Sequence, residues 1–300
     1  MIHCVYHPCY SQLVLPQNHG FPITKYQHLY QQLQRHPQQH KLRWHQPDAA
    51  PLAQIERCHH PEYLHQFLGN RIAAAPLKRM GFPWSEALVT RTLTSVGGTV
   101  LTTELALEQG IALHLSGGYH HAHYDFGSGY CVFNDLVIAA EVALTRPAIH
   151  KVVIFDLDVH QGDGTAALCQ SRPEIISCSV HCDSNFPSRK QRSDFDFGLA
   201  RGCQDDDYLQ SVSEALALVT RLHQPDLLIY DAGVDVHHQD RLGHLSISNR
   251  GLRRREQLVL SYCLNNNLPV ACVIGGGYDR DPEALTHRHR QLFDAALELL

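Results

Sequence analysis

Two aspartates and a histidine alternate in the segment Asp156-Leu157-Asp158-Val159-His160, directly after the apolar run of residues 152–155. Side chains at positions i, i+2 and i+4 of an extended chain share one face, so these three side chains point together. Carboxylates and an imidazole at a strand end match the mixed oxygen and nitrogen ligands that zinc accepts. The pattern favours a metal site, although a single pattern of this kind is also typical of a solvated strand end.

Three further apolar runs also end in polar or glycine-rich segments. They are residues 111–116 before Gly117-Gly118-Tyr119-His120-His121-Ala122, residues 227–230 before Asp231-Ala232-Gly233-Val234-Asp235, and residues 270–274 before Gly275-Gly276-Gly277-Tyr278. Helical patterns separate the four runs at 134–144, 206–222 and 249–264. Continuous apolar runs that alternate with helices predict an α/β fold, with a single domain and a central parallel β-sheet flanked by helices.

The topology predicts where the polar side chains meet. In a parallel sheet the loops that follow the strands gather at one edge, and ligands bind there. We therefore expect a set of residues that are far apart in the sequence to converge at that edge: His120, His121, Asp158, His160, Asp235 and Tyr278.

Taken together, these motifs resemble those of the zinc-dependent histone deacetylase family, which has the arginase/deacetylase fold. The resemblance begins at Phe21-Pro22-Ile23-Thr24-Lys25-Tyr26 and extends to the last glycine loop. It implies one histone deacetylase-like catalytic domain over residues 1–300. The pattern is most similar to class IV and to bacterial histone deacetylase-like amidohydrolases, because Gln161 stands where classes I and II usually carry a second histidine. The segments at 81–85, 240–243 and 245–248 also resemble class IV.

The resemblance implies one catalytic Zn²⁺ ion, held by Asp158, His160 and Asp235, with a coordination position left for water and the substrate carbonyl. It also implies a potassium site next to this zinc loop. The residues matching that site, mostly through backbone oxygens, are Asp156, Asp158, His160, Ser179 and Val180.

The paired histidines match the family's proton-handling residues. We expect His121 to act as general base and acid, and His120 to act chiefly in electrostatic stabilisation. Asp156 matches the carboxylate behind His120, and Asp163 the one behind His121; such partners fix the tautomer of an imidazole. Tyr278 matches the tyrosine whose hydroxyl donates to the developing oxyanion.

Four residues match the walls of the family's acyl-lysine tunnel: Gly129, Tyr130, Phe186 and Leu242. Apolar walls suit the methylene stem of a lysine whose charge has been removed by acylation. Ordinary core positions are the alternative for Tyr130 and Phe186, since most aromatic side chains are buried in cores. We expect loops 70–90 and 183–205 to form much of the rim, and their mixed charge does not select a substrate.

Composition fits one large core and excludes several other classes. The 300 residues are 44% hydrophobic, and the net charge of -5 argues against a general nucleic-acid binder. No apolar run approaches the roughly 20 residues that cross a bilayer, and no secretory signal is visible, so we expect a cytoplasmic protein. The ten cysteines are therefore expected to be reduced thiols, with Cys131 as a buried small hydrophobe.

Three polar segments outside the motifs are assigned structural roles. The basic run Arg253-Arg254-Arg255 is expected on a solvated helix face, and His237-His238 in a surface loop. Residues 31–45, rich in Gln and His, are most simply a polar helix and turn.

Three functions are compatible with the sequence. The first is a zinc-dependent deacylase of acyl-lysine. Acetylated polyamines or other small amides are its alternative substrates, and the resemblance to class IV suggests longer acyl groups. The second is a binuclear manganese ureohydrolase, for which Asp231 or Asp163 would supply only part of a second metal site. The third is a catalytically silent protein that binds acyl-lysine or a metabolite. The sequence leaves the oligomeric state open.

Overall fold

The computed structural model describes residues 1–300, and its centre is one sheet of eight parallel strands. In chain order the strands are β1 (Ile2–Val5), β2 (Leu42–His45), β3 (Ile111–His114), β4 (Val152–Asp156), β5 (Ile175–Cys182), β6 (Phe195–Leu199), β7 (Leu227–Asp231) and β8 (Val270–Val273). Across the sheet they follow the order β2-β1-β3-β8-β7-β4-β5-β6. The predicted parallel α/β fold is therefore confirmed.

Ten α-helices flank the sheet. They are α1 (Lys25–Gln34), α2 (Leu52–Ile55), α3 (Pro61–Leu68), α4 (Ala74–Met80), α5 (Glu86–Gln109), α6 (Asp135–Ala143), α7 (Asp163–Cys169), α8 (Asp205–His223), α9 (Asn249–Asn265) and α10 (Pro282–Leu299), with 3-10 turns at Pro8–Ser11 and Gln39–Lys41. The helices predicted at 134–144, 206–222 and 249–264 are confirmed as α6, α8 and α9. The long helix α5 begins where the Ser85 side chain accepts a hydrogen bond from the Leu88 backbone, and it ends at Gly110, whose φ is 87°.

The strands of the centre carry continuous apolar sequences because both faces of the sheet are covered. Every residue of β3, β4, β7 and β8 is buried. One apolar cluster of 82 buried residues forms the core, as expected for a single domain. In the register of the sheet, Asp156 at the end of β4 lies opposite Ser179 of β5 and Asp231 of β7. The polar residues that follow these strands are thus brought to one edge.

The interpretation of residues 31–45 as a polar helix and turn is wrong at its end. Residues 42–45 form the edge strand β2, which pairs in parallel with β1. Only Leu42 in this strand is buried, so its sequence lacks the apolar run that marks the inner strands. Pairing with a distant strand, rather than local pattern, determines the conformation of this segment.

Two further expectations about polar residues are corrected by the structure. Arg255 is fully buried in helix α9, although Arg254 beside it is exposed as expected for a solvated face. His237 is 1% exposed because the backbone of its loop folds inward: the His237 N–H bonds the Val234 carbonyl at 3.1 Å. His238 is exposed, as predicted.

All ten cysteines are free thiols, and Cys131 is buried as expected. None of the helices combines the length and the apolar character that crossing a bilayer would require.

Candidate active site

Asp158, His160 and Asp235 form a compact cluster at the carboxyl edge of the sheet. Nδ1 of His160 lies 2.9 Å from Oδ1 of Asp158 and 3.2 Å from Oδ2 of Asp235. One ligand atom from each residue lies within 4.8 Å of the others, and all three residues are buried. Asp158 and His160 lie in the loop after β4, and Asp235 lies in the loop after β7. Because β4 and β7 are neighbours in the sheet, these residues meet although Asp235 is 75 or more positions away from the other two in the sequence.

The free atoms of this cluster fit a metal ion. Backbone N–H groups of Val159 and Gly276 bind the outer carboxylate oxygens, at 2.9 Å from Oδ1 of Asp235 and 2.9 Å from Oδ2 of Asp158. Oδ2 of Asp235 is buried and accepts no hydrogen bond. A buried carboxylate oxygen without a partner is costly, and a cation bound there would remove that cost. Two carboxylates and one imidazole also form a ligand set that zinc accepts.

The backbone at Gly276 lies directly against this cluster, in a position that only a glycine can occupy without a clash. A Cβ atom built on Gly276 would lie 2.2 Å from Oδ2 of both Asp158 and Asp235. Because these distances are well below van der Waals contact, any other residue would push a side chain into the space between the two carboxylates. The glycine loop after β8 therefore allows close approach of the backbone to the cluster.

His121 is bound to a carboxylate that serves two histidines. Its Nδ1 lies 2.6 Å from Oδ1 of Asp163, while Nε2 of His123 lies 3.1 Å from Oδ2 of the same side chain. Burial, reinforced by the nearby His120, lowers the pKa of His121 to about 4, although Asp163 acts in the opposite direction. The imidazole is therefore neutral at pH 7, with Nδ1–H donating to Asp163 and Nε2 left as a proton acceptor.

His120 has the opposite electrostatic environment. Its Nδ1 lies 2.7 Å from Oδ2 of Asp156, and its Nε2 lies 3.8 Å from Oδ1 of Asp158. Burial alone would lower the pKa of His120, but these two carboxylates raise it well above the ordinary value. In the absence of a compensating cation, His120 carries the positive charge of the histidine pair.

A second group of side chains, His120, Asp156 and Asp231, also lies close enough to hold a metal. Neither carboxyl oxygen of Asp231 has a hydrogen-bond partner, although this residue is completely buried. The carboxyl packs against Gly118 and Gly275, both with positive φ, where a Cβ would lie 2.7 Å and 2.0 Å from its oxygens. Burial and the neighbouring Asp156 raise the pKa of Asp231 well above its usual range. Asp231 is therefore protonated and neutral when no second cation is bound.

Tyr278 approaches the cluster from the glycine loop. Its backbone N–H donates to Oδ2 of Asp240 at 2.7 Å, and its side chain is 9% exposed. Burial, together with Asp158 and Asp235, raises the pKa of Tyr278 well above its usual value, so the phenol remains a donor. Tyr278, His121 and His160 all line one cavity of about 550 Å³.

The four residues matched to tunnel walls line the same cavity: Gly129, Tyr130, Phe186 and Leu242. The ring of Phe186 lies 4.8 Å from that of His121, and the ring of Tyr130 lies 5.9 Å from that of Tyr278. Phe186 and Leu242 are 44% and 40% exposed, which is unusual for core side chains and expected at an open mouth. The cavity thus leads from the surface to His121, His160 and Tyr278.

The residues matched to a potassium site also lie together. Asp156 and Ser179 are partners in the β4–β5 ladder, and Val180 follows in the same strand. Oγ of Ser179 lies 3.0 Å from Nδ1 of His181. Oδ1 of Asp156 accepts a hydrogen bond from the backbone of Asp158 at 3.0 Å.

Three residues that support the site were not singled out from the sequence as site residues. His123 shares Asp163, and Asp240 fixes the backbone of Tyr278. Nζ of Lys25 donates to the carbonyl of Gly275 at 2.9 Å, so helix α1 is tied to the glycine loop. His123 and Asp240 stand within or beside the motifs, which is the signal that could have identified them. Lys25 lies in the matched Phe21-Pro22-Ile23-Thr24-Lys25-Tyr26 segment.

Gln161 has a structural role in this chain. Its amide Nε2 donates to the carbonyl of Gln191 at 2.7 Å and to Oδ1 of Asp196 at 2.8 Å. Its Oε1 accepts a hydrogen bond from the Gln191 backbone at 2.9 Å. Gln161 therefore fixes the segment between β5 and β6, which carries Phe186, and the start of β6 to the loop that follows β4.

Comparisons with known proteins identify the family of this chain. A family model described as the histone deacetylase domain matches residues 19–294. An uncharacterized protein of Picosynechococcus sp. is 46% identical over 295 residues, which cover 98% of each chain. Histone deacetylase 2 of Arabidopsis thaliana is 34% identical over 186 residues, covering 61% of this chain and 48% of that protein. The crystal structure of the HDA15 HD domain has a TM-score of 0.81 and 17% identity, covering 98% of this chain and 90% of that chain, and shows that the fold is shared. The chain belongs to the histone deacetylase family.

Proposed function

We propose that this protein is a zinc-dependent deacylase that hydrolyses the amide of an acyl-lysine, with residues 1–300 acting as one catalytic domain. The observation that carries the proposal is the convergence of three functional groups on one cavity. His160 of the ligand cluster, the neutral imidazole of His121 held by a carboxylate, and the protonated phenol of Tyr278 all line the same space. Amide hydrolysis needs these three: an electrophile for the carbonyl, a base for water, and a donor for the oxyanion.

Asp158, His160 and Asp235 would hold the metal ion. Zinc bound by three protein ligands polarises a carbonyl and lowers the pKa of water at its open position. Potassium is proposed next to this site, at the residues that match the family's cation loop: Asp156, Asp158, His160, Ser179 and Val180.

His121 is proposed as the residue that transfers protons. Its Nε2 takes a proton from the attacking water and later gives it to the nitrogen of the departing amine. Asp163 stabilises the imidazolium that forms in between, through the 2.6 Å contact with Nδ1. His120 with Asp156 is proposed to supply positive charge beside the reacting carbonyl, which the 2.7 Å contact between its Nδ1 and the Asp156 carboxylate supports.

Tyr278 is proposed as the donor to the oxygen that becomes negative during the reaction. One such donor contributes about 3 kcal/mol to transition-state stabilisation. The backbone bond to Asp240 and the burial of the ring hold the phenol in one place, so little reorganisation is needed when the charge develops.

Substrate size follows from the spaces on either side of the cluster. The 550 Å³ cavity, walled by Gly129, Tyr130, Phe186 and Leu242, accommodates the methylene stem of lysine. Beyond the cluster, the space lined by Lys25, Tyr26, Tyr119 and neighbouring residues has a volume of only about 20 Å³. That is the size of one water molecule. We therefore expect acetyl to be preferred over longer acyl groups.

The experiment is a panel of lysine peptides that carry acetyl, butyryl or myristoyl groups, assayed with the zinc-loaded protein and with Tyr278→Phe. The proposal expects hydrolysis of the acetyl peptide above the others, and a loss of about 100-fold in kcat for the variant. Equal rates for the two proteins would exclude the role of Tyr278. Turnover of acetylated polyamines but of no peptide would assign the alternative substrate class. Binding of acetyl-lysine peptide without any turnover would favour the silent binding protein.

A binuclear manganese ureohydrolase is retained as a second candidate because of one observation, the unpartnered carboxyl of Asp231 beside His120 and Asp156. That function requires two metal ions per chain, whereas the deacylase requires one catalytic ion. Metal analysis of protein loaded separately with zinc and with manganese distinguishes them, together with an assay for urea release.

A further inference from the structure

The mouth of the active-site cavity carries a charge opposite to that of the whole chain. Among its 14 lining residues are Lys78, Arg79 and Arg241, together with His244, and none is an aspartate or a glutamate. The complete chain has a net charge of -5. A cavity whose charged rim side chains are all cationic, in an acidic protein, presents a local positive potential to an approaching substrate.

These three cations have no carboxylate partner within the protein. Ion pairs elsewhere use other basic residues, such as Arg57 with Glu141 and Arg254 with Asp206, whereas Lys78, Arg79 and Arg241 form none. The guanidinium of Arg79 lies 4.8 Å from the ring centroid of Phe126, a contact that orients it without neutralising its charge.

The rim cations are joined to the substrate-binding residues through the backbone. The Gly129 N–H donates to the Arg79 carbonyl at 3.3 Å, and the Arg241 N–H donates to the Tyr278 carbonyl at 3.1 Å. Arg79 lies in the last turn of helix α4, and Arg241 lies in the loop after β7. Two separate segments therefore place positive charge at the mouth. The backbones of Arg79 and Arg241 are therefore held next to the residues that line the entrance for the lysine stem.

Two carboxyl groups in the loops that form the mouth, those of Asp240 and Asp183, lie outside the cavity lining. Asp240 is buried and accepts hydrogen bonds from the backbones of Leu242, Gly243 and Tyr278, so it points away from the mouth. Asp183 is exposed in the 183–205 loop but is not part of the cavity lining. The same loop adds another cation, Lys190, whose Nζ donates to the carbonyls of Asn185 and Pro187.

We propose that the rim selects acyl-lysines that lie in an acidic stretch of polypeptide. This inference rests on the proposed deacylase function and specifies its substrate class. When the acylated side chain fills the tunnel, the flanking residues lie over the mouth, where aspartate or glutamate meets Lys78, Arg79 and Arg241. Polyamines and basic peptides bring further positive charges to the same place and are disfavoured.

The test compares three acetyl-lysine peptides that differ only in the residues next to the modified lysine: aspartates, asparagines or lysines. The expected order of kcat/KM is acidic, then neutral, then basic, with about a 1.5- to 5-fold change for each flanking charge, expressed mainly in KM. The ratio between the acidic and neutral peptides should shrink as ionic strength rises, because exposed charges are screened.

Variants identify the side chains responsible. In Lys78→Gln/Arg79→Gln/Arg241→Gln the ratio of kcat/KM between acidic and neutral peptides should fall towards one, and Arg241→Glu should favour the basic peptide. Arg221→Gln is the matched control, because Arg221 is exposed in the last turn of α8, which precedes β7 and therefore lies at the opposite edge of the sheet. This variant should keep the wild-type ratio.

The outcomes of this experiment separate the selectivity of the rim from the deacylase function. Hydrolysis of all three peptides at equal rates, or a preference for the basic one, overturns the selectivity and leaves the deacylase function standing. A preference for acidic peptides that survives in the triple variant also overturns it. No hydrolysis of any peptide by zinc-loaded protein overturns the proposed function, and the selectivity with it.

Discussion

The guanidinium of Arg255 donates a 2.7 Å hydrogen bond to the carbonyl of Gly233, two residues before the proposed metal ligand Asp235. The same side chain also reaches the carbonyls of Ala232 and Leu157, so one buried arginine of α9 fixes the loops after both β4 and β7. Its charge is balanced by Glu256, which is also buried. The positions of the metal ligands therefore depend on a helix that contributes no ligand.

Replacement of Arg255 by methionine should be strongly destabilising. Glu256 would be left buried with only the hydroxyl of Tyr230, at 2.6 Å, as its partner. Removing one member of a buried ion pair costs about 3–5 kcal/mol of the free energy of unfolding. Chemical denaturation of Arg255→Met measures this loss. Arg254→Met is the control: this arginine is 46% exposed and pairs with the exposed Asp206, so it should lose less than about 1 kcal/mol. Equal losses in the two variants would contradict the argument.

Replacement of Gly276 by alanine should impair metal binding. The new Cβ would lie 2.2 Å from an oxygen of each of Asp158 and Asp235, so the two carboxylates must separate or rotate. Elemental analysis after loading with zinc should give clearly less than one ion per chain. Tyr278→Phe, which loses only a hydroxyl group in the same loop, should retain its zinc. A fully loaded Gly276→Ala protein would show that the ion lies elsewhere.

His123 is expected to position His121 through their shared carboxylate. In His123→Asn the contact of 3.1 Å to Asp163 is lost, while His121 keeps its own contact of 2.6 Å. Loss of such an outer partner costs about 10-fold in kcat, compared with about 100-fold or more for loss of the general base in His121→Ala. Steady-state kinetics separates kcat from KM, and the pH profile of His123→Asn should be displaced from that of the wild type. An unchanged kcat and pH profile would remove His123 from the mechanism.

Acid should destabilise the fold through buried neutral histidines, of which His59 is the clearest. Its Nε2 accepts from the Asn134 backbone at 2.9 Å, so Nδ1–H donates to the His123 carbonyl. Burial lowers the pKa of His59 to about 4, while the unfolded chain titrates near 6.5. Between these values the unfolded state binds more protons, so stability is fully present above pH 6.5 and is lost as the pH falls.

The contribution of His59 between pH 7 and pH 5 is about 2 kcal/mol. Denaturation across this range should show a shallower pH dependence for His59→Gln than for the wild type. The exposed His40→Gln is the control and should follow the wild-type slope. Because the slope is compared, a uniform loss of stability in His59→Gln does not affect the result. Identical slopes in all three proteins would exclude His59 as a source of acid sensitivity.

The inner sheet was predictable from the sequence because its strands are buried on both faces and read as continuous apolar runs. Residues 152–156 illustrate this: every side chain is buried, and the polar residues begin where the strand ends. Convergence of Asp158 and Asp235 follows from the parallel topology alone. The edge strand β2 was not predictable, since three of its four residues remain partly or fully exposed and its partner β1 lies about 40 positions away.

The supporting residues were harder to predict because their environment is tertiary. Arg255 stands in a run of three arginines, and no local pattern distinguishes it from the exposed Arg254. His237 likewise resembles a loop histidine until the backbone of residues 234–247 folds it inward. Distances such as 2.6 Å between His121 and Asp163 depend on the register of loops that sequence motifs do not specify.

The central claim is that hydrolysis depends on a metal ion held by Asp158, His160 and Asp235. Its most direct test measures the rate on an acetyl-lysine peptide after chelation and during stepwise return of zinc. We expect activity to disappear with the metal, to return in proportion to zinc up to one ion per chain, and not to be restored in Asp235→Asn. Hydrolysis that survives complete removal of the metal, or full activity in Asp235→Asn, would contradict it.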